Sequence, residues 1–140
     1  MATLLSPLPR WLAIVAGARG CVGTRFRAQG REPGLGLDCV GVVLAAAAAA
    51  GIRVAPLPPY RIGGVPPDAD PVFIACGALP IDMAAPGDVL AIVPAPGQRH
   101  FGIVTPLGLV HAHAGLDRVV EGPVDPDWTI IGAWRLPGAR

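Results

Sequence analysis

The chain has 140 residues, a formal net charge of +1, 52% hydrophobic residues and only 15% charged ones. That length supports one domain with one core and leaves no room for a second domain of ordinary size. Scattered, balanced charge excludes a basic nucleic-acid groove or a polybasic membrane anchor as the natural reading. No apolar run reaches the roughly 20 residues of a membrane span.

The composition is biased. All 11 basic residues are arginine, and lysine and asparagine are absent, which points to a GC-rich bacterial or phage genome. The three cysteines, Cys21, Cys39 and Cys76, do not read as a disulfide framework, and their spacing does not suggest zinc. A Cys21–Cys76 bridge is disfavoured, because the odd count fits a reducing compartment.

Residues 1–8 read as a loose lead-in and residues 9–140 as a single domain. Trp11, Leu12, Ile14, Val15 and Ala18 fit one helical face over 9–19, and Gly20 and Gly23 end it. The same stretch resembles a short signal-peptide core, but no basic residue precedes Arg10, so a folded first helix is the expectation. Residues 24–37, rich in Gly and Arg, read as an irregular loop. Residues 38–50 give the clearest helix. Asp38 is its N-cap, six alanines favour it, and Gly51 stops it. Residues 52–69 are proline-rich and irregular, and a short helix is expected near 70–78. Beyond the Pro86-Gly-Asp88 turn, short strands follow at 89–93, 100–104, 109–113, 117–121 and 129–136. Helices followed by short antiparallel strands predict an α+β domain.

Gly36-Leu-Asp-Cys-Val-Gly41 places Cys39 at the first turn of that helix. A helix N-terminus offers unpaired N–H groups and partial positive charge, which favour a thiolate and make Cys39 the candidate nucleophile. A free cysteine is more often a small buried apolar residue, and both readings stay open. His100 heads an apolar strand whose alternation puts His100, Gly102 and Val104 on one face and Phe101 and Ile103 on the other. It is the candidate general base. His111 lies on the next strand, where it can orient the His100 ring as the third member of a triad. A His-pair metal site lacks a third ligand with suitable spacing, so no metal or other cofactor is expected. Ser6 is the only serine, which excludes a Gly-x-Ser-x-Gly elbow. Asp68, Asp70 and Asp82 are assigned turn and solvation roles.

Several segments, taken together, resemble the NlpC-type family of papain-like cysteine peptidases. They are Gly23-Thr-Arg-Phe-Arg27 with Gly30, Leu37-Asp-Cys-Val-Gly41, Ala85-Pro-Gly-Asp-Val-Leu90, His100-Phe-Gly-Ile-Val104 and Leu109-Val-His-Ala112. Gly23 to Gly30, Val119-Val-Glu-Gly-Pro123 and Trp134-Arg-Leu-Pro137 resemble the short members found in tail-gene clusters of phages and gene transfer agents. The resemblance implies a papain-like fold, with the nucleophile helix packed on a small antiparallel sheet. It implies catalysis by Cys39, His100 and His111, without a cofactor. The substrate would be bacterial peptidoglycan, cleaved in the stem peptide between D-glutamate and a diamino acid. It further implies synthesis in the bacterial cytoplasm, carriage with tail or hub proteins of a phage-like particle, and action in the periplasm of the target cell. Phe26, Asp38 and Val40 fall where the family contacts substrate. Phe26 replaces a frequent Tyr and Val40 a frequent Ser, which weakens the expectation of a free N-terminal L-alanine on the substrate. A structural tail subunit without turnover, or an amidase or acyltransferase using the same three residues, are the alternatives.

Overall fold

A computed structural model describes residues 8–53 and 77–140. The expected short helix near 70–78, most of the proline-rich stretch, Cys76, Asp68 and Asp70 lie outside the described residues, apart from the last two positions of that helix. There, Gly77 is in a turn and Ala78 is irregular.

Helix α1 spans Arg10–Arg19 and buries Ile14, Val15 and Ala18. The chain then forms a two-stranded hairpin, β1 (Arg31–Glu32) and β2 (Gly36–Leu37), where the sequence predicts only a loop. Helix α2, Cys39–Ala49, begins where expected, with Asp38 as its N-cap. It closes in a Schellman arrangement, with Ile52 N–H donating to the Ala47 carbonyl and Gly51 N–H to Ala48. Gly51 takes the left-handed conformation this needs, φ +74°.

The alanine run thins α2 so that α1 can lie close. A Cβ added to Gly17 would stand 2.5 Å from the Ala49 Cβ. Little bulk separates the two helices, so their contact is backbone-close and tolerates no enlargement.

Strands β3 (Leu79–Pro80), β4 (Val89–Ala95), β5 (Gln98–Thr105), β6 (Gly108–His113), β7 (Arg118–Gly122) and β8 (Thr129–Arg135) form one sheet in the order β3-β8-β4-β5-β6-β7. Every pairing in it is antiparallel. The domain is therefore α+β: two helices among the described residues, and a six-stranded antiparallel sheet.

Strand alternation sorts the sheet into two faces. Val89, Ala91, Phe101, Ile103, Val110, Ala112, Val119 and Trp134 join α1 and α2 in the main core. On the other face Leu90, Ile92, Leu109 and Ala133 form a smaller cluster, flanked by Val104, Val124 and Trp128. An open groove of about 530 Å³ runs over β4 and β8 on that second face, lined by residues including Leu90, Ile130 and Ala133.

The Pro86-Gly-Asp88 turn hides a carboxylate. Asp88 is fully buried. It accepts the Ala85 N–H at 2.8 Å and holds Arg135 through two bonds of 3.1 and 2.9 Å. This ion pair ties the start of β4 to the end of β8. The two-residue strands β1 and β3 escape sequence reading because periodicity has no meaning over two residues.

Candidate active site

Cys39 reaches the sheet from the helix side. Its side chain is 7% exposed and belongs to the main core. The Phe101, Val40 and Cys39 backbone N–H groups all donate toward its sulfur. The Phe101 amide is free to do so because of a parting between two strands. Val104 N–H bonds toward β4, to Asp88 O. Residues in alternate positions point the same way, so Phe101 N–H points toward β6. The β5–β6 ladder, however, pairs only Ile103 with Val110, Val104 with Leu109 and Thr105 with Gly108. Beyond it the strands separate, and the thiol at the head of α2 occupies the gap.

The histidines bridge the same parting from the opposite face. His100 shares its face with Gly102 and Val104, and His111 shares its face with Leu109. A side chain on Gly102 would collide with Leu109, so this glycine keeps the two strands close just below the gap. His100 Nε2 and His111 Nδ1 are 2.9 Å apart, with ring centroids 5.1 Å apart and planes at 81°. Trp128 stands edge-on to His111 at 5.4 Å.

The structure thus joins His100 to His111 and seats the Cys39 sulfur on the peptide group linking His100 to Phe101. No hydrogen bond joins the Cys39 sulfur to either ring among the described residues. His100 Nδ1 is the ring nitrogen not engaged by His111. For it to accept a proton, Nε2 must carry the hydrogen and donate to His111 Nδ1, which in turn fixes His111 as its Nε2–H tautomer.

Electrostatics favour the neutral forms. Burial pushes the Cys39 thiol up to about 12, and the Asp38 charge adds to this while the three amides oppose it. Burial, with the neighbouring His111 and His113, holds His100 down at about 3. Burial and then His113 hold His111 at about 4. Burial therefore works against the thiolate that the helix N-terminus alone would favour. Desolvation outweighs the helix N-terminus, and the site rests as thiol and imidazole.

The side chains expected to touch substrate are each engaged within the fold. Asp38 is 4% exposed. It accepts Gly41 N–H at 2.8 Å, Gln29 N–H at 2.9 Å and Arg31 Nη1 at 2.8 Å. Its carboxylate caps α2 and anchors the β1–β2 hairpin. Val40 is 2% exposed and packs into the core. Only its backbone N–H reaches the site. Phe26 is half-buried against the same core and bridges to Leu37. Sequence reasoning missed Arg31, Asp88 and Trp128. Their only signal is a charged or aromatic residue at an irregular position, which carries no partner information.

Among the described residues no group of three or more His, Cys, Asp or Glu side chains is placed to hold a metal ion. No helix among them is long and apolar enough to cross a membrane. No protein-family model matches this chain, and no curated protein matches it.

Proposed function

We propose that the protein is a papain-like cysteine peptidase of the NlpC type that cuts peptidoglycan stem peptides. The reading rests above all on one observation: the Cys39 sulfur, at the head of α2, is hydrogen-bonded to the peptide group that carries His100, whose ring is coupled to His111 at 2.9 Å. A thiol at a helix start, a base on a neighbouring strand and an orienting ring behind it are the parts of nucleophilic acyl transfer.

In this reading the Cys39 proton passes to His100 Nδ1 as the sulfur attacks the peptide carbonyl. Because thiol and imidazole are both held neutral, proton transfer accompanies attack rather than preceding it. His111 receives the His100 Nε2–H and stabilises the imidazolium that forms. The amides around Cys39 are the donors for the developing oxyanion, and losing one such donor typically costs on the order of 10²–10³ in rate. The imidazolium then protonates the leaving amine, and water attacks the thioester to free Cys39.

The D-glutamyl–diamino acid bond, carriage in a phage-like tail with hub proteins and action in the target periplasm complete the proposal. They follow from the family resemblance of the sequence motifs. A second reading, a structural tail subunit without turnover, is favoured by the burial of Cys39 and the missing sulfur–imidazole hydrogen bond.

Peptidoglycan from a Gram-negative host, incubated with the protein and with Cys39→Ala, separates the two. Stem-peptide fragments seen by mass spectrometry with the first and absent with the second are expected. Intact sacculi with both proteins would favour the structural subunit.

A further inference from the structure

Residues 23–26 run antiparallel along the outer edge of β7. Gly23 N–H donates to Val119 O, Val119 N–H to Thr24 O, and Phe26 N–H to Asp117 O. The last two bonds flank Arg25 and Arg118, which face each other as a bridge without bonds of their own. This is the antiparallel pairing in which opposed side chains stand closest. Two guanidinium groups side by side repel, and sheets normally avoid like charges at such positions.

Among the described residues nothing relieves this pair. Both arginines are exposed, and neither makes an ion pair or side-chain hydrogen bond among the described residues. The nearby acids do not serve them. Glu121 holds Arg19 and Thr105, Asp38 holds Arg31, and Asp117, though adjacent to Arg118, makes no ion pair among the described residues.

The pair also has a direction. Val119 is in the main core, so Arg118 points to the opposite face, and so does Arg25, between the buried Thr24 and the core-packed Phe26. Arg118 is opposite His113 across β6–β7. His113 lies against the His100–His111 pair: its ring centroid is 5.8 Å from that of His111, and it is near enough to disfavour a charge on His100. Arg25, Arg118 and His113 therefore form one row on the face that carries the His100–His111 pair. With paired strands about 4.8 Å apart, Arg118 stands one strand away from His113, and His113 borders the histidine pair. An arginine side chain and one or two peptide residues together reach from Arg118 to that pair.

We propose that Arg25 and Arg118 form a carboxylate clamp that selects peptides carrying a free carboxylate one or two residues from the bond Cys39 attacks. The inference rests on the peptidase reading and deepens it by naming a specificity determinant. Two parallel guanidinium forks suit a carboxylate, which would also remove the repulsion between them.

The test uses the full chain, its Arg25→Gln/Arg118→Gln double variant and an Arg25→Lys/Arg118→Lys control. Three probes are titrated: glutarate, a stem tripeptide with the D-glutamyl α-carboxylate free, and the same tripeptide with that group amidated. Guanidinium Nε resonances report binding, and product release reports cleavage. The expected result is that glutarate and the acid peptide shift the Arg25 and Arg118 signals. The acid peptide is then cleaved with a KM about tenfold below that of the amide. In the glutamine double variant that preference disappears with kcat nearly unchanged, and in the lysine control part of it remains. Equal binding and cleavage of acid and amide would overturn the clamp and leave the peptidase standing. Arginine-dependent binding of carboxylate with no cleavage of any peptide would uphold the anion site and overturn the peptidase. No shift with any probe would overturn the clamp outright.

Discussion

The end of α1 and the start of α2 each hold a buried free cysteine, and the two ends treat it in opposite ways. Cys21, just past the last turn of α1, directs its thiol to the Gly17 carbonyl at 3.4 Å. Cys39, the first residue of α2, is met by three backbone N–H groups. One helix end supplies acceptors that keep the proton on sulfur; the other supplies donors that would welcome a negative sulfur. Yet burial raises both thiols. A helix N-terminus orients donors for a charge that forms during reaction, but it does not ionise a desolvated thiol in advance.

That contrast can be broken most directly by truncating each sulfur. Cys39→Ala is expected to lower stem-peptide hydrolysis by at least about 10⁴-fold, while Cys21→Ala leaves the rate unchanged and costs less than about 2 kcal/mol of stability. Equal loss of hydrolysis in both, with both folded, would erase the distinction. Alkylation kinetics sharpen it next. A thiol held at about 12 rather than its ordinary 9 is expected to react with iodoacetamide roughly 10³-fold more slowly at pH 7.5 than an unperturbed thiol. Its rate should keep climbing about tenfold per pH unit beyond pH 9. A plateau near pH 7 would mean that the amides win over burial.

His111→Ala is expected to lower kcat by on the order of 10²-fold, with His111→Gln restoring part of it through an acceptor oxygen. The histidines also set an acid limit on the fold. His100 and His111 ionise natively at about 3 and 4, against about 6.5 in the unfolded chain. Their contribution is complete above pH 6.5 and is lost as pH falls toward 3, at on the order of 1.4 kcal/mol per pH unit for each. Chemical denaturation at pH 7 and pH 5 measures that slope. The smallest effect is expected from Asp38→Asn. It keeps a capping oxygen but removes the charge that raises Cys39, so alkylation at pH 8 should quicken about threefold.

Much of the helix-and-strand layout was legible because it rests on local rules. Asp38 caps, the alanines propagate and Gly51 terminates, so α2 could be placed almost to the residue. Alternation in His100-Phe-Gly-Ile-Val104 correctly separated the histidine face from the core face. The neighbourhood of His100 and His111 was also readable, from two adjacent apolar runs joined by a tight turn. The hairpin β1–β2 and strand β3 were not, because each strand has only two residues and is held by a partner that periodicity does not record, Asp38 for Arg31 and the far strand's Trp134 for Pro80. The inward turn of Asp38 and the neutral resting site were equally hidden. Both depend on how many donors and how much apolar surface surround a group, which sequence adjacency does not record. The parting of β5 from β6 has no sequence signature either, since the same apolar alternation continues through it.

Gly30 and Gly41 meet where the β1–β2 hairpin crosses the first turn of α2, and a Cβ on Gly41 would overlap the Gly30 carbonyl oxygen. Two main chains touch there with no side chain between them, so no rotamer change can loosen the contact. The Gly41 amide donates to Asp38 and the Val42 amide to the Asp38 carbonyl. Neither can meet solvent unless hairpin and helix come apart together. In deuterated water these two amides should retain their protons among the longest in the chain, their exchange governed by global opening rather than by fraying of the helix end.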